Sequence, residues 1–155
     1  MYYHFKKGKF AKTALLLCLT IPIIASASDI VKKSSSHSVK ETMDKFETLI
    51  KSKGLTVFAR INHTKNAADI DMAMNDAEVI IFGNPKGGTV LMKNDVATSL
   101  DLPLRVAVYK DNDDKVWISY HNPQALKDSY NISSGEKVLN KVEGALGKLT
   151  SIVAK

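Results

Sequence analysis

The sequence predicts one domain in which helices pack on a sheet of about five strands. Two observations carry this. Apolar residues recur at helical spacing near both ends of the chain, and the stretch between is cut into short β-rich runs by Gly, Pro, Asn and Asp. Composition agrees, because 155 residues with 45% hydrophobic, 25% charged, 8 Gly, 4 Pro and 1 Cys suit one globular domain. These values exclude a disordered tail, a collagen-like repeat, a disulfide scaffold and a multidomain machine.

The first 27 residues are chemically distinct. Lys6, Lys7, Lys9 and Lys12 form a cationic start without acids, followed by the apolar run 13–24 (TALLLCLTIPII) and then Ala25-Ser26-Ala27. This is the order of a secretory signal peptide, and the run is well short of the roughly 20 residues a membrane span requires. The expectation is cleavage after Ala27, leaving residues 28–155 as a single periplasmic or secreted domain with no membrane association. Cys18 follows the bulky Leu17, which argues against lipoprotein processing. It is the only cysteine, so the mature chain has no thiol chemistry and no disulfide. Removing four lysines leaves eighteen bases against sixteen acids, and a net charge of +2 gives nucleic-acid binding little support.

Along the mature chain, residues 29–33 (DIVKK) read as a short strand. Ser38-Val39-Lys40-Glu41 has capping-box form, Val39, Met43, Phe46, Leu49 and Ile50 share a helical stripe, and Gly54 suits a left-handed helix end. Residues 55–62 (LTVFARIN) alternate, with Leu55, Val57, Ala59 and Ile61 on one side and His63 next in that series. A short helix is expected over 66–74 and a buried strand over 79–82. Residues 83–88 (GNPKGG) read as a loop, with Thr89 capping a helix toward Ser99. Runs 104–110 and 116–121 flank the polar turn Asp111-Asn112-Asp113-Asp114 and predict a hairpin, with Trp117 and His121 on the face opposite Tyr120. Pro123 opens a helical turn. Ser133-Ser134-Gly135-Glu136 resembles a second capping box before a closing amphipathic helix carrying Val138, Val142, Ala145, Leu146, Leu149 and Ile152.

The phrases FARINH (58–63), IFGNPKGGTVLM (81–92), LDLPLRVAVYKD (100–111) and KVWISYHNP (115–123) resemble, in consistent order, the family catalogued as domain of unknown function 302. The resemblance covers essentially the whole mature chain. It implies an α+β fold, a single two-layer domain with a mixed β-sheet of about five strands and helices packed on it, including the C-terminal amphipathic helix. It also implies a homodimer, and it implies no particular activity. Asn62 stands where the family pattern has Asp, and His121 where a small polar residue is more usual.

The strand, glycine-loop, helix order at 79–92 is one that presents backbone N–H groups to an anion, with Lys86 and Thr89 as added donors. A Walker loop is excluded, because no Lys precedes Thr89. A tight turn that needs glycine explains the same residues without a ligand. His63, Asn84, Tyr120 and Asn122 lie at strand ends, where binding groups commonly sit. Together they predict a polar pocket of His63, Asn84, Lys86, Thr89, Tyr120 and Asn122 for a small polar or anionic ligand. An enzyme reading, hydrolase- or isomerase-like, makes His63 an acid/base, with Asp69, Asp71 or Asp101 as partner by residue type alone. A copper reading draws on His37, His63 and His121 with Met72, Met74 and Met92, although no histidine pair has ligand spacing and the methionines also suit a core. A fourth reading makes the hairpin face, with Trp117, a docking surface for an envelope protein or a second subunit.

Overall fold

The computed structural model describes residues 29–155, so the expected signal peptide lies outside the described residues. The chain runs β1 (Ile30–Ser35), α1 (Val39–Ser52), β2 (Thr56–Asn62), α2 (His63–Ala68), β3 (Ala77–Gly83) and α3 (Pro85–Asn94). A 3-10 turn (Val96–Leu100) leads to β4 (Leu104–Lys110) and β5 (Val116–His121). A second 3-10 turn (Pro123–Ala125), α4 (Leu126–Ser129) and α5 (Glu136–Val153) close the chain.

The five strands form one sheet in the order β1-β5-β4-β3-β2, and every pairing is antiparallel. The α+β architecture therefore stands, while the expected mixture of strand directions gives way to a uniformly antiparallel sheet. The reason is where the connecting helices lie. Both α2 and α3 join strands that are neighbours in the sheet, so the chain leaves and re-enters at one end and must reverse direction. A parallel neighbour would need a crossover over the sheet face.

Helix α1 begins where Glu41 N–H donates to Ser38 Oγ at 3.2 Å, but the Glu41 carboxylate bonds Lys45 instead of returning to the cap. Its stripe of Val39, Met43, Phe46 and Ile50 is buried against β2, β3 and β4, with the Phe46 ring edge-on to Phe82 at 5.4 Å. Gly54 takes φ +70 after the helix, as the sequence pattern requires. Helix α5 buries Leu139, Leu146, Leu149 and Val153, whereas the expected Ala145 and Ile152 are exposed. The stripe is rotated because α5 packs both on the sheet and on α3. No second capping box forms, since Ser134 instead bonds Asn94 across to α3 at 2.5 Å.

In β2 the simple alternation fails at a β-bulge between Val57 and Ala59. The extra residue, Phe58, turns Ala59 and Ile61 to the opposite face from Val57. Then Asn62 accepts from Lys65 N–H at 2.7 Å and starts α2 at His63, three residues before the expected start.

One ionic cluster fastens α1 to the sheet. Arg60 donates from Nε to Glu78 at 2.6 Å and from Nη1 to Asp44 at 2.7 Å and Glu47 at 3.0 Å. Glu78 is 6% exposed, and Arg60 is the cation paired with its carboxylate. These carboxylates raise the Arg60 pKa despite its burial. Asp44 is held below the usual carboxylate range by Lys40 and then Arg60, and Glu47 by Lys51 and then Arg60. Replacing Arg60 with Gln should cost about 1.5–3 kcal/mol in urea unfolding, the range for hydrogen bonds to charged groups. Because the folded-state pKa values of Asp44 and Glu47 are lowered, the stability they give is present above the unfolded values near roughly 4 and fades as pH falls below them. The Arg60→Gln variant should therefore lose less stability on acidification than the parent protein.

Candidate functional site

Two Asn-Pro corners build one end of the sheet. At the end of β3, the Asn84 side chain accepts from Lys86 N–H at 3.0 Å and Gly87 N–H at 3.3 Å, and Pro85 takes the first helical position of α3. At the end of β5, Asn122 accepts from Gln124 N–H at 3.0 Å and Pro123 opens the 3-10 turn. Asparagine caps a helix start well, and proline loses nothing there because its missing N–H would have had no partner. Between these corners β4 enters through the cis Leu102–Pro103 bond.

Pro85, Pro103 and Pro123 surround a cavity of about 270 Å³. Its walls are Leu91 and Met92 of α3, Leu102 and Leu104 at the start of β4, Leu126 of α4, and Leu139 and Val142 of α5. Phe58, displaced by the bulge and 52% exposed, also lines it. Asn84 and Thr89 are its polar side chains, and the Asn84 oxygen is already engaged by the helix cap. The site is therefore apolar, with one hydroxyl available.

Gly87 and Gly88 also line the cavity, inside the first turns of α3 and not in a loop as expected. Neither has a positive φ, and a Cβ on either would meet one atom, at 3.9 Å. The helix thus forgoes side chains at two positions that have room for them, and that room belongs to the cavity.

The six residues expected to form a polar pocket do not converge. Asn84 and Thr89 line the apolar cavity. Asn122 lines a neighbouring polar cleft, Lys86 projects outside both, and Tyr120 is buried on the core face of the sheet. His63 is at the opposite end, because Asn62 pairs with Glu78 while Thr56 pairs with Gly83. Six strand steps put it roughly 20 Å from Asn84. It is exposed and, among the described residues, makes no side-chain hydrogen bond or ion pair; Asp101 lies at the other end of the sheet, Asp69 pairs with Lys65, and Asp71 makes no ion pair with it. The arrangement thus gives His63 no carboxylate to make it a general base.

The anion reading is also corrected. The N–H groups of Lys86 and Gly87, which an anion would need, are taken by Asn84, and Thr89 lies inside the helix and caps nothing. The proposed copper ligands are dispersed. His63 and His121 occupy opposite ends of the sheet, His37 bonds the Lys155 carbonyl, Met92 lines the cavity, and Met72 and Met74 are exposed. Among the described residues no group of three or more His, Cys, Asp or Glu side chains is placed to hold a metal.

The comparisons with known proteins agree with this architecture. The family profile described as domain of unknown function DUF302 matches residues 31–149. The chain belongs to the DUF302 family. A crystal structure of an uncharacterized conserved DUF302 protein from Bacillus stearothermophilus superimposes with a TM-score of 0.73, covering 83% of this chain and 100% of that one. At 17% identity this likeness concerns the fold. The chain is also 35% identical over 150 residues to proteins named fluoride-specific ion channel FluC 1 from Brucella suis biovar 1 and FluC 2 from Brucella melitensis biotype 1. Those matches cover 94% of this DUF302 chain but 59% and 55% of the relatives, so the chain spans a little over half their length. Among the described residues no helix is long and apolar enough to cross a membrane.

The sequence held one unread signal for this site. Asn-Pro follows both F-G at 82–83 and Y-H at 120–121, each at the end of an apolar strand. Such a repeated corner marks two strand ends that turn alike. If Gly87 and Gly88 serve the cavity and not the backbone, Gly87→Ala and Gly88→Ala should each raise stability by about 0.5–1 kcal/mol in urea unfolding, as expected inside a helix.

Proposed function

We infer that this DUF302 protein is an exported binding module whose ligand is a small, largely apolar molecule held at the Asn-Pro end of the sheet. The observation that carries the reading is the cavity of about 270 Å³ with apolar walls. Scaled from an apolar cavity of about 150 Å³ that takes benzene, it has room for roughly ten non-hydrogen atoms. Gly87 and Gly88 support the reading by leaving the α3 wall thin. Thr89 supplies one polar contact to orient a ligand. Export is supported by the basic start, the short apolar run and Ala25-Ser26-Ala27. The longer relatives carry the name fluoride-specific ion channel, and the activity in that name is not carried over to this chain.

A second reading, subunit association, has its own observation. Helices α1 and α5 cover one face of the sheet. The other face presents Ala59, Ile61, Val79, Ile81, Ala107, Tyr109 and Trp117, which the register places side by side, together with Arg105, Ser119 and Lys32. The apolar residues among these are half-buried, and Lys115 stacks over the Trp117 ring at 4.2 Å. A largely apolar face edged by Arg105 and Lys32 suits a second copy of the chain.

Titration calorimetry with n-octanol tests the first reading. The parent protein should bind it saturably, Gly88→Leu should abolish the heat while keeping the protein folded, and His63→Ala should leave binding unchanged. Loss of binding in His63→Ala with the cavity intact would restore the pocket around His63 and contradict this reading. For the second, light scattering should give twice the chain mass, and Val79→Lys should return a folded monomer. A parent protein that is monomeric at high micromolar concentration would end that reading.

A further inference from the structure

The side chain that the β2 bulge displaces is a phenylalanine. Phe58 has no partner in the β3 register, is 52% exposed, and is the one aromatic side chain in the cavity wall. A polar residue at the bulge would have left no phenyl ring in water, where its apolar surface costs free energy. Bulges recur beside sites where a strand re-aims one side chain. Here the re-aimed ring stands where an otherwise aliphatic cavity meets solvent.

The residues around the ring leave space beside it. Gly83 lines the cavity, and a carbon at its Cβ position would stand 3.9 Å from Phe58 Cε2 and 3.7 Å from Pro103 Cβ. Both are ordinary van der Waals distances, so a carbon of a bound molecule has room there without moving either ring. At Gly88 the same position lies 3.9 Å from Met92 Cε. The prolines at 85, 103 and 123 give that wall a fixed shape, and the Met92 thioether makes favourable contacts with aromatic edges. Such a wall favours a rigid occupant, because a flexible chain loses rotamer freedom on entering and a flat ring has little to lose.

Resting on the reading of the cavity as a ligand site, we propose that its ligand is a small aromatic molecule of one ring and that Phe58 is the residue that selects it. The ligand ring packs against Phe58 beside Gly83 and Pro103. Its substituent extends along the α3 wall toward Gly88 and Met92, where Thr89 supplies the polar contact. Attraction between the two rings adds to the area they bury, and a saturated ring of the same size gains the burial alone.

Calorimetric titration with acetophenone and cyclohexyl methyl ketone separates these terms. The two compounds share the carbonyl group and the number of non-hydrogen atoms, and differ in whether the ring is aromatic. Acetophenone should bind about threefold to tenfold more tightly, as an aromatic pair contributes beyond burial. Phe58→Leu should remove that preference while leaving the affinity for the saturated ketone and the melting temperature unchanged, and Phe58→Tyr should retain it. Equal affinities in the parent protein, tighter binding of the saturated ketone, a preference that survives in Phe58→Leu, or binding of n-octanol but of neither ketone would overturn the proposal and leave the apolar cavity reading intact. Binding of none of the three compounds would overturn both.

Discussion

The shape of this molecule depends on how two strands stop. At Asn84-Pro85 and Asn122-Pro123 an asparagine side chain takes over the first free N–H groups of a helix, and the following proline fixes the direction of departure. Because β3 and β5 flank β4, both corners open at the same end of the sheet. Helix α3 is thereby carried past the end of the sheet instead of across its face. A small second core of Leu91, Ile132 and Leu139 forms there with α5. The cavity is the space left between that core and the sheet proper.

Covering only one face of the sheet has a further consequence. The core side of the sheet is sealed by α1 and α5, and the Arg60 cluster sets the register of α1 with charge where hydrocarbon alone would allow sliding. The bulge at Phe58 then divides β2 into two halves. Val57 serves the core, Ala59 and Ile61 serve the open face, and Phe58 itself is left for the cavity. One inserted residue thus supplies all three environments. A strand without it would have sent Ala59 and Ile61 to the same side as Val57.

Most of the elements were legible because they follow from local periodicity. The α1 stripe, the 104–121 hairpin and the closing helix needed only apolar spacing, capping residues and a polar turn. What failed depended on partners distant in sequence. The bulge is invisible in an alternating run, since the pattern of LTVFARIN is equally compatible with a regular strand. Ser134 looks like a helix cap until Asn94, forty residues away, takes its hydroxyl. The sequence reading put its candidate residues at strand ends, but the two ends of an antiparallel sheet cannot be told apart without the strand pairing. Asn84 and Asn122 fell together and His63 fell opposite. The apolar wall came from five separate segments, none of which carries a binding motif by itself.

The end of the sheet between the Asn-Pro corners is the proposed ligand site. A titration of isotopically labelled protein with n-octanol, followed by two-dimensional NMR, tests it residue by residue. Saturable amide shifts are expected at residues 84–92, 102–104 and 138–142, with His63 and the 111–114 turn unmoved. Shifts centred on His63, shifts spread over the open sheet face, or no saturable shift would contradict it.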